Sequence, residues 1–292
     1  MTIAIVTTLA VLEGKDAAGR KENQRLKAAL EHHGAQVRCI AWDGPEHEWH
    51  DVEAMVIRTT WNYHLHINAF RHFIDRRAAQ GCHCFNAAEL LCWNLDKHYL
   101  QDLTKAAVPV VPTQYLLHTE SVADLALPAA WLQQPVVVKP TVSAGAHDTL
   151  RFDTGQQLLE SSALLQLHRQ HDLMIQPFQQ GIAEGEISLI TIGGELTHAV
   201  RKVPARGEFR VQGVYGGQVE THQPSEEEQR LASTIVNALP VIPAYARIDI
   251  VKGNDGHPLL MELELIEPQL FLELFPDSAD KLARYVMTSL NP

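Results

Sequence analysis

Residues 245–265 hold two runs in which polar and apolar side chains alternate, YARIDIVK and LLMELEL, on either side of Gly253-Asn254-Asp255-Gly256. Alternation is the mark of a strand, because successive side chains of an extended chain point to opposite faces. A polar, glycine-bounded turn between two such runs makes a hairpin. Arg247 and Asp249 then share one face while Ala246, Ile248 and Ile250 take the other, and Glu262 and Glu264 stand opposite Met261, Leu263 and Leu265. The hairpin gathers three carboxylates. Like charges about 4 Å apart repel by roughly 4 kcal/mol at an effective dielectric of about 20, so the cluster needs a cation or a proton. Mg²⁺ suits it: a hard ion takes one or two carboxylates and completes its octahedron with water and phosphate oxygens. A solvent-facing hairpin is the commoner fate of an isolated E-x-E, and only the rest of the chain separates the two readings.

A chain of 292 residues can bury a substantial core in two or three subdomains. With 46% hydrophobic and 20% charged residues it has a globular balance and no ground for extensive disorder. A formal net charge of -11 disfavours a nucleic-acid partner, since phosphate backbones are held by many Lys and Arg contacts. No run approaches the roughly 20 apolar residues of a membrane span, and the start MTIAIVTTLAVLEGKD lacks the basic flank and cleavage pattern of a signal peptide. A cytoplasmic protein without a membrane partner is expected. Cys39, Cys82, Cys84 and Cys92 lack zinc-type spacing and read as structural thiols, and the 16 histidines show no i, i+4 pair beside a glutamate.

The first part reads as strand 3–8, helix 20–33, strand 36–42 and strand 54–60, followed by a helix over 68–80 and a strand over 82–86. Leu26, Ala29, Leu30 and His33 form the inward stripe of the first helix, which Gly34 ends. Short apolar strands around helices predict a parallel sheet in a small Rossmann-like unit. The loop after the first strand has no G-x-G-x-x-G, so hydride chemistry with NAD loses its best support. The loop Arg58-Thr59-Thr60-Trp61-Asn62-Tyr63-His64 leaves the third strand at its C-terminal end, where open α/β sheets bind ligands, and is the candidate for recognising a small substrate. A surface loop with a packed tryptophan is the competing reading.

A new pattern begins near residue 94: a helix over 95–107, an extended run over 110–117, and a strand over 136–139. After Lys139 comes PTVSAGAHDT, whose small residues, Ser143 and Gly145 among them, let backbone amides approach an anion. Strands follow over 173–178, 186–192 and 195–203, then a loop rich in Gly and Arg to Gly217, a helix over 225–239 opened by the capping-box pair Ser225 and Glu228, and a last helix over 278–290.

In chain order the polar landmarks are Lys97, Lys139, the small-residue loop, Gln176-Pro177-Phe178, Glu186, Arg210, Arg247-x-Asp249 and Glu262-x-Glu264. This order resembles the ATP-grasp superfamily over residues 95–275, with a pre-ATP-grasp sheet before it. VRKVPARGEFRVQGVYGG is similar to prokaryotic glutathione synthetases, while RTTWNYH, WNLDKHYL, VVVKPTVSAGAHDT and MELELIEP resemble the small cyclo-ligases of the O-ureido-serine type.

The resemblance implies an ATP-grasp fold, α/β, with a Rossmann-like domain over 1–94, a first ATP-grasp lobe over 95–175 and a second, metal-bearing lobe over 176–292. It implies ATP and two Mg²⁺ ions. Lys97 and Lys139 would contact phosphates, with Ser143 and Gly145 in the phosphate loop. Gln176 and Phe178 would meet the adenine and Glu186 the ribose. Asp249, Glu262 and Glu264 would hold metal, and Arg210 and Arg247 would stabilise charge on the transferring phosphate and acyl groups. Arg58, Trp61, Asn62, Tyr63 and Glu267 are the substrate candidates. Two departures stand out: Glu264 replaces an asparagine common in the family, and Leu265-Ile266-Glu267-Pro268 reaches its proline one residue late, leaving Glu267 as an outer carboxylate or a substrate contact. The implied activity is ATP-dependent joining of a carboxylate to an amine, or an intramolecular cyclisation, through an acyl phosphate of an amino-acid-like substrate. A non-catalytic ATP-binding regulator is the alternative, and a homo-oligomer is left open.

Overall fold

The apolar β-strands of the first 86 residues pair side by side in parallel because long crossovers, two of them through α-helices, return the chain where a tight turn would make an antiparallel pair. In the computed structural model, which describes residues 1–290, β1 (Thr2–Thr7), α1 (Leu9–Leu12), α2 (Ala17–His32), β2 (Gln36–Ala41), β3 (Ala54–Ile57), α3 (Ile67–Ala79) and β4 (His83–Phe85) build a parallel sheet in the order β2-β1-β3-β4. Asp16 caps α2 by accepting from Gly19 N at 3.0 Å, and Gly34 (φ +86) closes it in the left-handed conformation. Leu26 and Leu30 are fully buried, but His33 turns outward to Asp280 (2.7 Å) rather than joining the apolar stripe.

The helix expected over 95–107 is shortened to α5 (Tyr99–Lys105), and a separate helix, α4 (Ala88–Asn94), ends just before the expected start. The break has a cause. Lys97 N donates to Thr141 O (2.9 Å), Asp96 takes the His98 amide (3.0 Å), and Asn94 turns its amide group onto the backbone of residues 263 and 265. Tertiary partners for the backbone outbid continuation of the helix.

A second sheet, β5-β8-β6-β7, is antiparallel, from β5 (Gln114–Leu116), β6 (Val136–Pro140), β7 (Leu150–Phe152) and β8 (Leu173–Pro177), and is backed by α6 (Gly155–Leu159) and α7 (Ser162–His168). The third, also antiparallel, runs β11-β10-β9-β12-β13, from β9 (Glu186–Ile192), β10 (Glu195–Val203), β11 (Gln218–His222), β12 (Tyr245–Lys252) and β13 (Pro258–Glu264). Helix α8 (Glu226–Asn237) opens with the expected capping box and packs Leu231 and Ile235 against Ala246, Ile248 and Leu263. Helix α9 (Pro276–Leu290) returns to α2, burying Leu282 and Val286 with Leu26 and Leu30.

The hairpin β12–β13 forms as its alternation demands, with Arg247 opposite Glu264 and Asp249 opposite Glu262. One expectation fails there. A β-bulge after Asp249 leaves Met261 as an extra residue, so Met261 lines the cavity beside Glu262 instead of packing with Leu263.

Candidate functional site

The second and third sheets face one another across a cavity of about 600 Å³. Its acidic wall comes from β9, β12 and β13. Asp249, 2% exposed, accepts from Ser188 Oγ, from Lys202 Nζ at 3.2 Å, and from Arg247 Nε and Nη2 at 3.0 and 2.9 Å. Burial alone would raise its pKa, but Arg247 and Lys202 hold it down at about 2. Arg247 also grips Glu264. Because Asp249 takes two nitrogens of the guanidinium and Lys202 besides, Glu264 gets the smaller share of Arg247, and burial pushes it up to about 8. Glu262 pairs with Lys97 at 3.2 Å, and Lys202 is clamped between Asp249 and Glu186.

The three carboxylates expected to call for Mg²⁺ are therefore neutralised by Arg247, Lys202 and Lys97. Among the described residues no three Asp, Glu, His or Cys side chains are arranged to hold a metal ion. Asp249 and Glu262 still supply the hard oxygen donors that Mg²⁺ takes.

The basic wall comes from β6 and the segment before α5. Lys97 is 6% exposed and donates to Ser143 O at 2.7 Å, tying the small-residue loop to the turn between α4 and α5. Lys139 is different. Its ammonium makes no hydrogen bond or ion pair among the described residues, and burial lowers its pKa against the pull of Glu262. An ammonium placed in a cavity without a direct partner fits an anionic ligand, and the backbone beside it turns left-handed at Gly145, Ala146 and Asp148 (φ 61, 59 and 56). Gln176 donates to Thr113 Oγ1 (2.9 Å), and Phe178 presents its ring to the cavity with Arg151 4.4 Å from the centroid.

Arg210 lines the cavity from the loop between β10 and β11, where it donates to both Glu208 oxygens (3.1 and 2.6 Å) and lies 3.7 Å from the Tyr215 ring centroid. Trp61, Tyr63 and Glu267 close the end nearest the first sheet. Tyr63 is buried, which together with Glu267 keeps its phenol protonated, and burial pushes Glu267 up to about 7.

Two substrate candidates do not reach the cavity. Arg58, 1% exposed, points under the loop to Glu22 (3.1 Å) and to Pro268 O. Asn62 faces outward, accepting from Trp42 Nε1 (2.8 Å) and donating to Asp43 (3.0 Å). Both are better served by protein partners than by a ligand. His64 and His147 line the cavity from the two loops the sequence singles out, whereas Lys202 and Gln269, which also line it, carry no sequence signal of their own.

The chain that forms these walls is similar to known proteins. Residues 3–86 match the N-terminal domain of D-cycloserine synthetase DcsG, and residues 113–270, more than half of the chain, match the ATP-grasp domain of prokaryotic glutathione synthetase. The chain belongs to the ATP-grasp family, and it is an ATP-dependent ligase that forms carbon–nitrogen bonds with ATP and Mg²⁺. The cycloserine biosynthesis protein DcsG of Streptomyces lavendulae is 28% identical over 280 residues, 89% of this chain and 90% of that protein. The crystal structure of D-cycloserine synthetase DcsG superposes with a TM-score of 0.86 at 25% identity, covering 99% of this chain and 100% of that one. Glutathione synthetase of Thermosynechococcus vestitus is 27% identical over 160 residues, 54% of this chain and 49% of that protein. No helix of the described residues is long and apolar enough to cross a membrane.

Proposed function

We propose that this ligase is a cyclo-ligase, joining the carboxylate of an O-ureido-serine-type amino acid to a nitrogen of the same molecule. The observation that carries the reading is a cavity walled at one end by a DcsG-like first domain, through Trp61 and Tyr63, and by Glu267. ATP, when bound, supplies the phosphoryl group that activates the carboxylate, and Mg²⁺ offsets the charge. Lys97, Lys139 and Lys202 hold phosphate oxygens, with Ser143 and Gly145 beside them. Gln176 and Phe178 meet the base, and Glu186 takes the ribose once Lys202 turns to phosphate. Asp249, Glu262 and Glu264 are the metal carboxylates. Arg247 and Arg210 face the acyl end, where charge develops as the carbon–nitrogen bond forms, the carbon–oxygen bond to phosphate breaks, phosphate leaves with the bonding pair and the nitrogen gives up a proton. Trp61, Tyr63 and Glu267 position the amino acid. The division at residues 94 and 175 into one Rossmann-like unit and two lobes is part of this proposal.

The test is incubation with ATP, Mg²⁺ and each enantiomer of O-ureido-serine. ADP and phosphate released together with a cyclised product, and no added amine, support it. Release that requires a second, separate amine replaces cyclisation with intermolecular ligation.

A further inference from the structure

Beyond β13 the chain crosses the cavity end as a strap, residues 265–270, that belongs to no helix or strand. Its backbone is held instead by side chains. Asn94 accepts from Leu265 N (2.8 Å), Asn86 donates to Leu265 O (2.8 Å), and the Tyr245 hydroxyl lies 3.1 Å from Ile266 O. Trp61 Nε1 donates to Glu267 O (3.2 Å), Arg58 to Pro268 O, and His198 Nε2 to Leu270 O (2.8 Å), while Glu22 accepts from Leu270 N (2.9 Å). Buried backbone groups must find partners, and here most partners come from the first domain. So tied, the strap turns Glu267, Gln269 and then Phe271 to the cavity. Phe271 stands at φ 55, a conformation a bulky residue adopts only where its surroundings over-determine it.

Arg58 and Glu22 form the centre of this grip. Both are buried, one Glu22 oxygen serves Arg58 and Leu270 N together, and the guanidinium lies 4.9 Å from the Tyr245 ring centroid. Arg58 Nε and Nη1 have no hydrogen-bond partner among the described residues, so its one clear directional duty besides Glu22 is the strap carbonyl.

We propose that Arg58 is a positioning residue: with Glu22 it sets the strap so that Glu267 and Gln269 present the polar wall that receives the amino-acid substrate. The proposal rests on reading this cavity as the ligase site. It places part of substrate recognition in a buried ion pair that touches no ligand, and assigns the nucleotide end no share in it.

Two variants test it. Arg58→Lys keeps the charge but loses the planar fork. The double variant Arg58→Met/Glu22→Leu leaves no buried charge unpaired, so it keeps the test open where a single removal would unfold the chain. With O-ureido-D-serine as probe, both raise the substrate KM at least tenfold, leave kcat within about threefold, and leave Mg²⁺-ADP affinity by calorimetry within about twofold. Backbone amide exchange over residues 265–272 rises at least tenfold in both, with β12 unchanged. An unchanged KM in the double variant, or equal losses in KM and ADP affinity, overturns the proposal. Should the wild-type protein not turn over O-ureido-serine, the cyclisation reading fails separately, and the exchange measurement decides: strap amides as protected as in wild type overturn the positioning role.

Discussion

Lys202 and Asp249 lie 3.2 Å apart although β9 stands between their strands. The ammonium reaches across the sheet face, over Glu186, which sits opposite it in register, and joins two buried carboxylates through one cation. Replacing it by an apolar isostere leaves both acids with less compensation, and breaking a buried pair from one side costs about 3–5 kcal/mol. Lys202→Met therefore lowers the melting temperature by several degrees and turnover at least a hundredfold, measured by calorimetry and ADP release. Melting and rate equal to wild type would place Lys202 outside the site.

Lys139 gives the opposite stability result. It is half-buried without an ion pair to lose, and burial already works against its charge. Lys139→Met leaves the melting temperature unchanged or raises it, while ATP affinity falls about tenfold to a hundredfold, as expected for loss of a charge facing phosphate. Titration calorimetry with Mg²⁺-ATP, beside thermal melts, reads both.

Much of this site could be read from strand alternation, and two residues that escaped it, Lys202 and Met261, owe their places to strand irregularities. Arg247, Asp249, Glu262 and Glu264 follow from period two alone. Counting back from the Gly193-Gly194 turn pairs Glu186 with Arg201, but the register shifts between Leu196 and His198 and brings Lys202 opposite it instead. The bulge in β12–β13 brings Met261 into the cavity by the same device. A bulge adds one residue and reverses which face each later side chain takes, and no local composition announces it. Arg58 was misassigned for another reason. A cation at a strand's C-terminal end has a ligand-binding position, and only tertiary packing reveals that Glu22 and Pro268 claim it first.

His198 carries a pH dependence. It is buried on β10, donates from Nε2 to Leu270 O, and its Nδ1 faces Thr197 Oγ1 (2.8 Å) and Ser278 Oγ (3.0 Å). Burial lowers its pKa below the ordinary value of 6.5. The unfolded chain thus binds a proton that the folded one resists, so the stability held by neutral His198 is full above about 6.5 and is lost as pH falls below it. The slope this one group contributes reaches at most about 1.4 kcal/mol per pH unit. His198→Phe is less stable at pH 8, since Leu270 O loses its donor, yet its stability changes less between about pH 6.5 and 5 than that of wild type. Urea melts across that range check it; parallel slopes for the two proteins would show that His198 does not titrate there.

The loop that carries Arg210 depends on Gly217. A Cβ at that position would meet Val211 O at 1.9 Å, a contact no side chain survives, and the neighbour is backbone that cannot swing away. Gly217→Ala must open the loop between residues 211 and 217 and move Arg210 and Tyr215, whose guanidinium-to-centroid distance is 3.7 Å. Because the sheets carry none of that strain, the melting temperature falls by only a few degrees. Since an arginine misplaced by about 1 Å can forfeit a hundredfold in rate, kcat drops by one to two orders of magnitude while Mg²⁺-ADP binding stays within about twofold. Steady-state kinetics with calorimetric ADP binding separates the two effects, and a kcat equal to wild type would remove Arg210 from the acyl end of the cavity.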